Sequence, residues 1–309
     1  MTRPRRSRIA GLSVDVDSVA SHLEGYGFDR PEDDGAALQI AVPRAMDLFE
    51  SLDARATFFL IAGEAERQPD VVANIAERGH EVASHSMTHD LPFANLDDER
   101  ARVEIEESKT LLERLAGEEI VGFRAPSWDA DPDLRTRLVR AGYHYDASAY
   151  PSLLLPLLRR EIASRSSAGS VRTSSGLWDG VFGPTGIHQL ETAAGPIWEI
   201  PICTTPWARL PYYHTLRYVL PGPVFRSIGA WARTRRGPVT YQFHAVDFLG
   251  AEEDGLDPRI VRHPGMQVDL RAKLKLAETS LRELGAVREI VPLRRLTPGD
   301  LSTPVSVEN

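Results

Sequence analysis

The sequence predicts an α/β fold on parallel strands, either an α/β barrel or an open doubly wound sheet. Short apolar runs alternate with amphipathic segments from residue 9 to residue 146, and short links join them, as in strand–crossover–strand units. The residues able to do chemistry also fall in one kind of place. Asp15, Asp17, His85, His89 and Arg124 each follow an apolar run, and parallel α/β folds collect active residues at the C-terminal ends of their strands.

The first strand is expected over 9–17, where Val14 and Val16 alternate with Asp15 and Asp17. Period-two geometry puts the two carboxylates on one side. Such a pair suits a cation or a shared proton, although a helix N-cap followed by a solvated turn would also explain it. Residues 18–35 read as a loop beside this strand end. Residues 37–52 have helical spacing, with Leu38, Val42, Ala45, Met46 and Phe49 on one face. Residues 56–61 are a buried strand, 69–78 a helix opened by Pro69 and stopped by Gly79, and 80–83 the next strand. A long helix is expected over 96–116, with Asp97 and Asp98 at its start and Gly117 at its end. A strand over 120–123 then delivers Arg124, and a helix over 131–141 leads to a strand near Tyr145. After a long divergent stretch, 197–202 and 239–244 read as strands, 266–284 as the closing helix and 287–291 as the last strand. The segment 301–309 reads as a frayed tail.

Composition narrows the function classes. With 309 residues, 42% hydrophobic and 26% charged, the chain has the make-up of a globular protein with a sizeable core. A net charge of −8 gives no support to general nucleic-acid binding. The single cysteine, Cys203, allows no intrachain disulfide. Arg3, Arg5, Arg6 and Arg8 look like the start of a signal peptide, but 9–16 runs into acid without an apolar core or cleavage site. No stretch approaches the ~20 apolar residues of a spanning helix. A cytoplasmic protein is expected.

The organising motif is Gly79-His80-Glu81-Val82-Ala83-Ser84-His85-Ser86-Met87-Thr88-His89. Two histidines four residues apart share a face if the backbone turns helically, and neutral imidazole is the commonest metal ligand. A pair alone is weak; the acidic strand end and Arg124 strengthen it. No H-E-x-x-H occurs, which argues against a zinc peptidase.

Together, Ser13-Val-Asp-Val-Asp17, Ala56-Thr-Phe-Phe59, the 79–89 motif, Phe123-Arg-Ala-Pro126 and Gly142-Tyr-His-Tyr-Asp146 resemble the polysaccharide deacetylase family (carbohydrate esterase family four). The likeness covers roughly 9–150 and resumes near 238–290. It implies a distorted seven-stranded (β/α) barrel, often incomplete on one side, in a single domain over 1–309 with an insertion at about 150–236. It also implies hydrolysis of an N-acyl group on an amino sugar with one divalent metal, zinc first, with nickel, cobalt, iron and manganese also compatible. Carried over residue by residue, Asp17, His85 and His89 would hold the metal. Asp15 would be the base oriented by Arg124, and His244 the acid. Ser127 and Trp128 would bind substrate, the Ser127 N–H helping to hold the oxyanion. Here Val16 separates aspartates that are adjacent in the usual motif, so the base and ligand assignments could be exchanged. The fourth motif, an Asp and a Trp near the acid, has two candidates, Trp178-Asp179 and Trp198-Glu199. His263 reads as a loop histidine.

Within 204–236, Arg209, Arg217, Arg226, Arg233, Arg235 and Arg236 occur with no acid, among Trp207, Tyr212, Tyr213, Tyr218, Phe225 and Trp231. This stretch reads either as an ordinary solvated lid or as a site for an anionic carrier, a nucleotide or a polyprenyl phosphate at a membrane surface. The function expected is hydrolysis of a cytoplasmic nucleotide- or lipid-linked N-acetyl or N-formyl sugar. The alternatives are a hydrolase of a small or cyclic non-sugar amide, allantoinase-like, and a non-catalytic carbohydrate-binding relative.

Overall fold

The computed structural model describes residues 8–90, 93, 96–157 and 180–297. The Ser-rich 164–175 stretch, Trp178-Asp179 and the 301–309 tail lie outside them. The nine strands are β1 (Ile9–Val16), β2 (Thr57–Leu60), β3 (Glu81–Ser84), β4 (Gly122–Phe123), β5 (Tyr145–Asp146), β6 (His188–Thr192), β7 (Gly195–Glu199), β8 (Val239–His244) and β9 (Glu289–Val291). They form one sheet in the order β6-β7-β5-β4-β3-β2-β1-β8, with β9 also on β1. Every ladder is parallel except the β6–β7 hairpin. The expected seven-strand barrel is present as β7-β5-β4-β3-β2-β1-β8, and it is not closed by a ladder between β7 and β8. Loop bonds cross that gap: Cys203 N–H donates to Thr240 Oγ1 at 2.9 Å and His214 N–H to the Gln242 carbonyl at 2.9 Å.

Strand alternation creates two cores. Outward-facing Leu12, Val14, Phe58, Val82 and Phe243 pack against helical Met46, Phe49, Ile105, Leu112 and Leu281. Inward-facing Phe59, Ala83, Tyr145 and Ile200 form a separate cluster with Leu293 and Leu296. Each Val, Leu, Ile, Phe or Met among them, fully buried, stabilises the fold by about 1.5–3 kcal/mol. Leu293 and Leu296 come from a turn that stoppers the N-terminal mouth of the barrel. Above it, Glu81 accepts from Tyr145 Oη at 2.9 Å and from Arg294 N–H at 3.1 Å.

Several elements differ from expectation. The predicted 18–35 loop contains a helix, Val19–Gly25, because Ser18 caps it by accepting the Ser21 N–H at 3.1 Å. The 37–52 helix opens with a wide turn, Ala37–Ala41, before Val42–Glu50. The 96–116 helix starts at Asp98, capped by Asp97, and carries a π-helical turn over Arg102–Glu107. The closing helix is Leu270–Gly285, preceded by a 3₁₀ turn, Pro264–Gln267. Among the described residues, no helix is long and apolar enough to cross a membrane.

Gly11 shows how tightly the stopper fits. A Cβ there would lie 2.5 Å from Leu296 and 2.6 Å from Leu293. Gly11→Ala should therefore cost about 1–3 kcal/mol by overpacking, read as a lower midpoint in urea. An unchanged midpoint would mean that the stopper is loosely seated.

Candidate metal and catalytic centre

The sheet register aligns the strand ends into one ring. Leu60 pairs with Ser84, Ser84 with Phe123, Phe123 with Asp146, and Asp146 with Glu199, while Asp15 pairs with His244. His85 and Arg124 are thus the first residues past two neighbouring strands. On β1, Ser13 and Asp15 point into the barrel, and Asp17 follows on the same side.

Arg124 joins these ends. Its guanidinium is buried, bonds the Asp15 carboxylate, reaches Ser13 Oγ at 3.2 Å, and donates from Nε to the Ala147 carbonyl at 3.0 Å. It lies 4.1 Å over the Phe59 ring. The other Asp15 oxygen accepts from Gln242 Nε2 at 2.5 Å and stands 3.9 Å from His244 Nε2. Gln242 was not anticipated, although the polar period Thr240, Gln242, His244 along β8 marks it.

Asp17, His85 and His89 converge, with one ligand atom from each lying within 4.8 Å of the others. Asp17 Oδ1 is 3.3 Å from His85 Nε2 and 3.5 Å from His89 Nε2, and it has no hydrogen-bond partner among the described residues. His85 Nδ1 donates to the Arg124 carbonyl at 2.7 Å, so the lone pair of a neutral ring points from Nε2 at a carboxylate. Two acceptors face each other stably only with a cation or a proton between them. Burial pulls the His85 imidazole down, but the Asp17 carboxylate beside its Nε2 outweighs this and leaves it raised. Burial likewise opposes ionisation of Asp17, yet His89 and His85 hold its carboxyl well below the usual range. A buried carboxylate with two imidazole Nε2 atoms is a donor set that suits a divalent transition metal.

The two histidines do not share a helix face. The backbone after β3 is irregular, with Ser86 at φ +71° and His89 at φ +65°. Glu104, buried in the π-helical turn, holds this loop: it accepts from Met87 N–H at 2.9 Å, Thr88 N–H at 3.0 Å and Thr88 Oγ1 at 2.6 Å. Ser127 and Trp128 are also left-handed, at φ +53° and +54°, so four of the six non-glycine residues with positive φ among the described residues sit at this centre. Strained backbone of this kind clusters at functional sites.

His244 is edged by aromatic rings, Trp128 at 6.3 Å and Tyr213 at 6.5 Å between centroids. Its Nδ1 is 3.4 Å from Thr215 Oγ1. Glu199 does not serve it. That carboxylate meets Arg135 at 3.0 Å and accepts the Ala149 N–H at 2.9 Å, and burial beside Asp146 pushes it well up. The Trp198-Glu199 candidate is therefore a support for the loop after β5, and Trp178-Asp179 lies outside the described residues. His263 is in a loop, as expected, and its ring packs on His22 at 5.4 Å. His22 lies in the stretch expected beside the end of the first strand but was given no role, and Glu104 was not anticipated, because nothing local in the sequence marks it.

The arginines of 204–236 are mostly engaged within the protein. Arg209 donates to the Val181 and Gly183 carbonyls, Arg217 to Ser280 Oγ, Arg233 pairs with Glu283, and Arg235 stacks on Trp231 at 5.4 Å.

Residues 33–145 match the family model for polysaccharide deacetylase. Over these residues the chain is similar to polysaccharide deacetylases. A peptidoglycan deacetylase of Helicobacter pylori is 30% identical over 144 residues, 45% of this chain and 49% of that protein. A peptidoglycan-N-acetylglucosamine deacetylase of Bacillus cereus is 32% identical over 101 residues, 33% of this chain and 46% of that protein. The chain thus spans about half the length of these curated relatives. Two solved chains provisionally named polysaccharide deacetylases share the fold. One, from Mycobacterium smegmatis, has TM-score 0.54 and 18% identity, covering 98% of this chain and 97% of that one. The other, from Pseudomonas aeruginosa, has TM-score 0.55 and 16% identity, covering 94% and 88%. The span matched to the deacetylase family holds His85, His89, Arg124, Ser127 and Trp128; the fold brings Asp15, Asp17 and His244 to them.

Two outcomes follow from the supports of this centre. Glu104→Ala would leave three donors of the 86–88 loop unpaired, at about 1–3 kcal/mol for each one that stays buried. Hydrogen exchange at the Met87 and Thr88 amides should accelerate; unchanged exchange would mean that the loop is held elsewhere. Lys273 is fully buried under the turn after His244, donating to the Val246 and Leu249 carbonyls, and burial pushes it down to about 8 from 10.5. Between those values the unfolded chain binds the extra proton, so stability should rise with pH from about 8 to 10.5, by up to about 3 kcal/mol. Lys273→Met should remove that rise in urea denaturation series; parallel slopes for the two proteins would refute it.

Proposed function

We propose that this protein hydrolyses an N-acyl amide, acetyl or formyl, on an amino sugar, using one divalent metal held by Asp17, His85 and His89. The observation that carries the reading is Asp17 Oδ1 facing two imidazole Nε2 atoms with no hydrogen-bond partner among the described residues. When bound, the ion lowers the pKa of a water and polarises the acyl carbonyl. In this reading Asp15 takes the proton of the attacking water. Arg124 and Gln242 hold the carboxylate in place, and the Oδ2 that accepts from Gln242 is 3.9 Å from His244. His244 gives its proton to the leaving amine, which departs poorly as an anion. The turn at Ser127 and Trp128 supplies the Ser127 N–H to the oxyanion and the Trp128 ring to the sugar. In this reading the described parts of the insertion, residues 150–157 and 180–236, act as the lid of the same domain.

For the sugar's carrier we propose an anionic group on a cytoplasmic intermediate, a nucleotide diphosphate or a polyprenyl phosphate at a membrane surface. Its support is narrower than the arginine count suggests. It rests on Arg226 and Arg236, with Trp207 at 94% exposure and Leu157 at 63% on the same lid.

Elemental analysis should find one divalent ion per chain, lost in Asp17→Ala, His85→Ala and His89→Ala. Asp15→Asn should keep the ion while turnover falls about 10²–10⁴-fold, the usual value of a general base. If Asp15→Asn loses the ion and Asp17→Asn keeps it, the two aspartates have exchanged roles.

A further inference from the structure

One wall of the cleft is unused by this chemistry. His22, in the helix Val19–Gly25, approaches the His244 ring at 6.2 Å and the His263 ring at 5.4 Å. His263 is buried and its Nδ1 accepts the Gly265 N–H at 3.2 Å, which fixes its tautomer and the surface it offers to His22. His22 Nε2 is a buried atom with no hydrogen-bond partner among the described residues. Trp128, perpendicular to His244, carries a second such atom, Nε1. A buried polar nitrogen left unpaired costs about 1–3 kcal/mol and calls for an explanation. Here two of them border the imidazole proposed as the acid. Trp128 is backed by the buried rings of Tyr150 at 4.9 Å and Tyr213 at 6.4 Å, which hold its ring in place.

We propose that His22 is a specificity-determining substrate contact whose Nε2 pairs with a hydroxyl of the sugar beside the scissile amide, across His244 from Trp128. The site then selects a hydroxyl-bearing N-acyl sugar over a plain or cyclic amide. A hydroxyl both donates and accepts, so it satisfies the imidazole nitrogen in either tautomer. The inference rests on the amide-hydrolase reading above and deepens it.

The test compares the full chain with its His22→Ala and His22→Gln variants on two amides, N-acetylglucosamine tetramer and the hydroxyl-free 4-nitroacetanilide, with metal content measured in parallel. Loss of one hydrogen bond should raise KM for the tetramer about tenfold in His22→Ala. The change in kcat should be smaller, recovery in His22→Gln partial, and the metal retained. The effect on 4-nitroacetanilide should be much weaker than on the tetramer. An unchanged KM for the tetramer, equal losses on both amides, or loss of metal in His22→Ala would each overturn the assignment. A wild-type protein that cleaves neither amide would instead remove the hydrolase reading on which it rests.

Discussion

Everything at this centre depends on one buried guanidinium. Arg124 is 2% exposed, and an arginine cannot shed its charge, so removing it from water is tolerable only if its donors are paired. Asp15, Ser13 and the Ala147 carbonyl supply that pairing from β1 and from the end of β5. The Arg124 N–H also donates to the Ser84 carbonyl of β3 at 3.0 Å. One residue therefore ties together the ends of four strands, β1, β3, β4 and β5. The Asp15 carboxylate is held in place with its second oxygen toward His244.

The same residue also sets the histidine side. Because its carbonyl accepts a hydrogen bond from His85 Nδ1–H, the Nε2 lone pair turns to Asp17. Orientation of a ligand through its other ring nitrogen is how second-layer contacts tune metal sites. The proposed base Asp15 and the proposed ligand His85 are thus positioned by the two halves of Arg124, side chain and backbone. The left-handed residues Ser86, His89, Ser127 and Trp128 are tolerated because Glu104, Ser86 Oγ and Ser148 bind the surrounding backbone.

Much of this was legible in the sequence, because strands and ligands there obey local rules. The period-two pattern of 9–17 placed Asp15 and Asp17 on one side, and the order of strands placed His85 and Arg124 beside them. What could not be read is what arises from distant pairing. Gln242 meets Asp15 across 227 positions, and only the β1–β8 register, Ser13 with Gln242 and Asp15 with His244, brings them together. Glu104 faces the 86–88 loop from a π-helical turn, which shifts the helical phase that a 3.6-residue period assumes. The H-x-x-x-H spacing suggested a helical face, but the positive φ values achieve the convergence by a kinked loop. The acid-free window at 204–236 overstated free positive charge for the same reason: Glu283 and Ser280, which engage Arg233 and Arg217, lie on a helix outside it.

The central claim is that Asp17, His85 and His89 form a metal centre whose geometry Arg124 imposes. X-ray absorption spectroscopy of the purified holoprotein at the edge of its own metal tests it most directly. One ion is expected, bound through two imidazole nitrogens and carboxylate oxygen at about 2.0–2.2 Å if it is zinc, with remaining positions filled by light oxygen ligands. A first shell lacking histidine scattering, or containing the sulfur of Cys203, would contradict it.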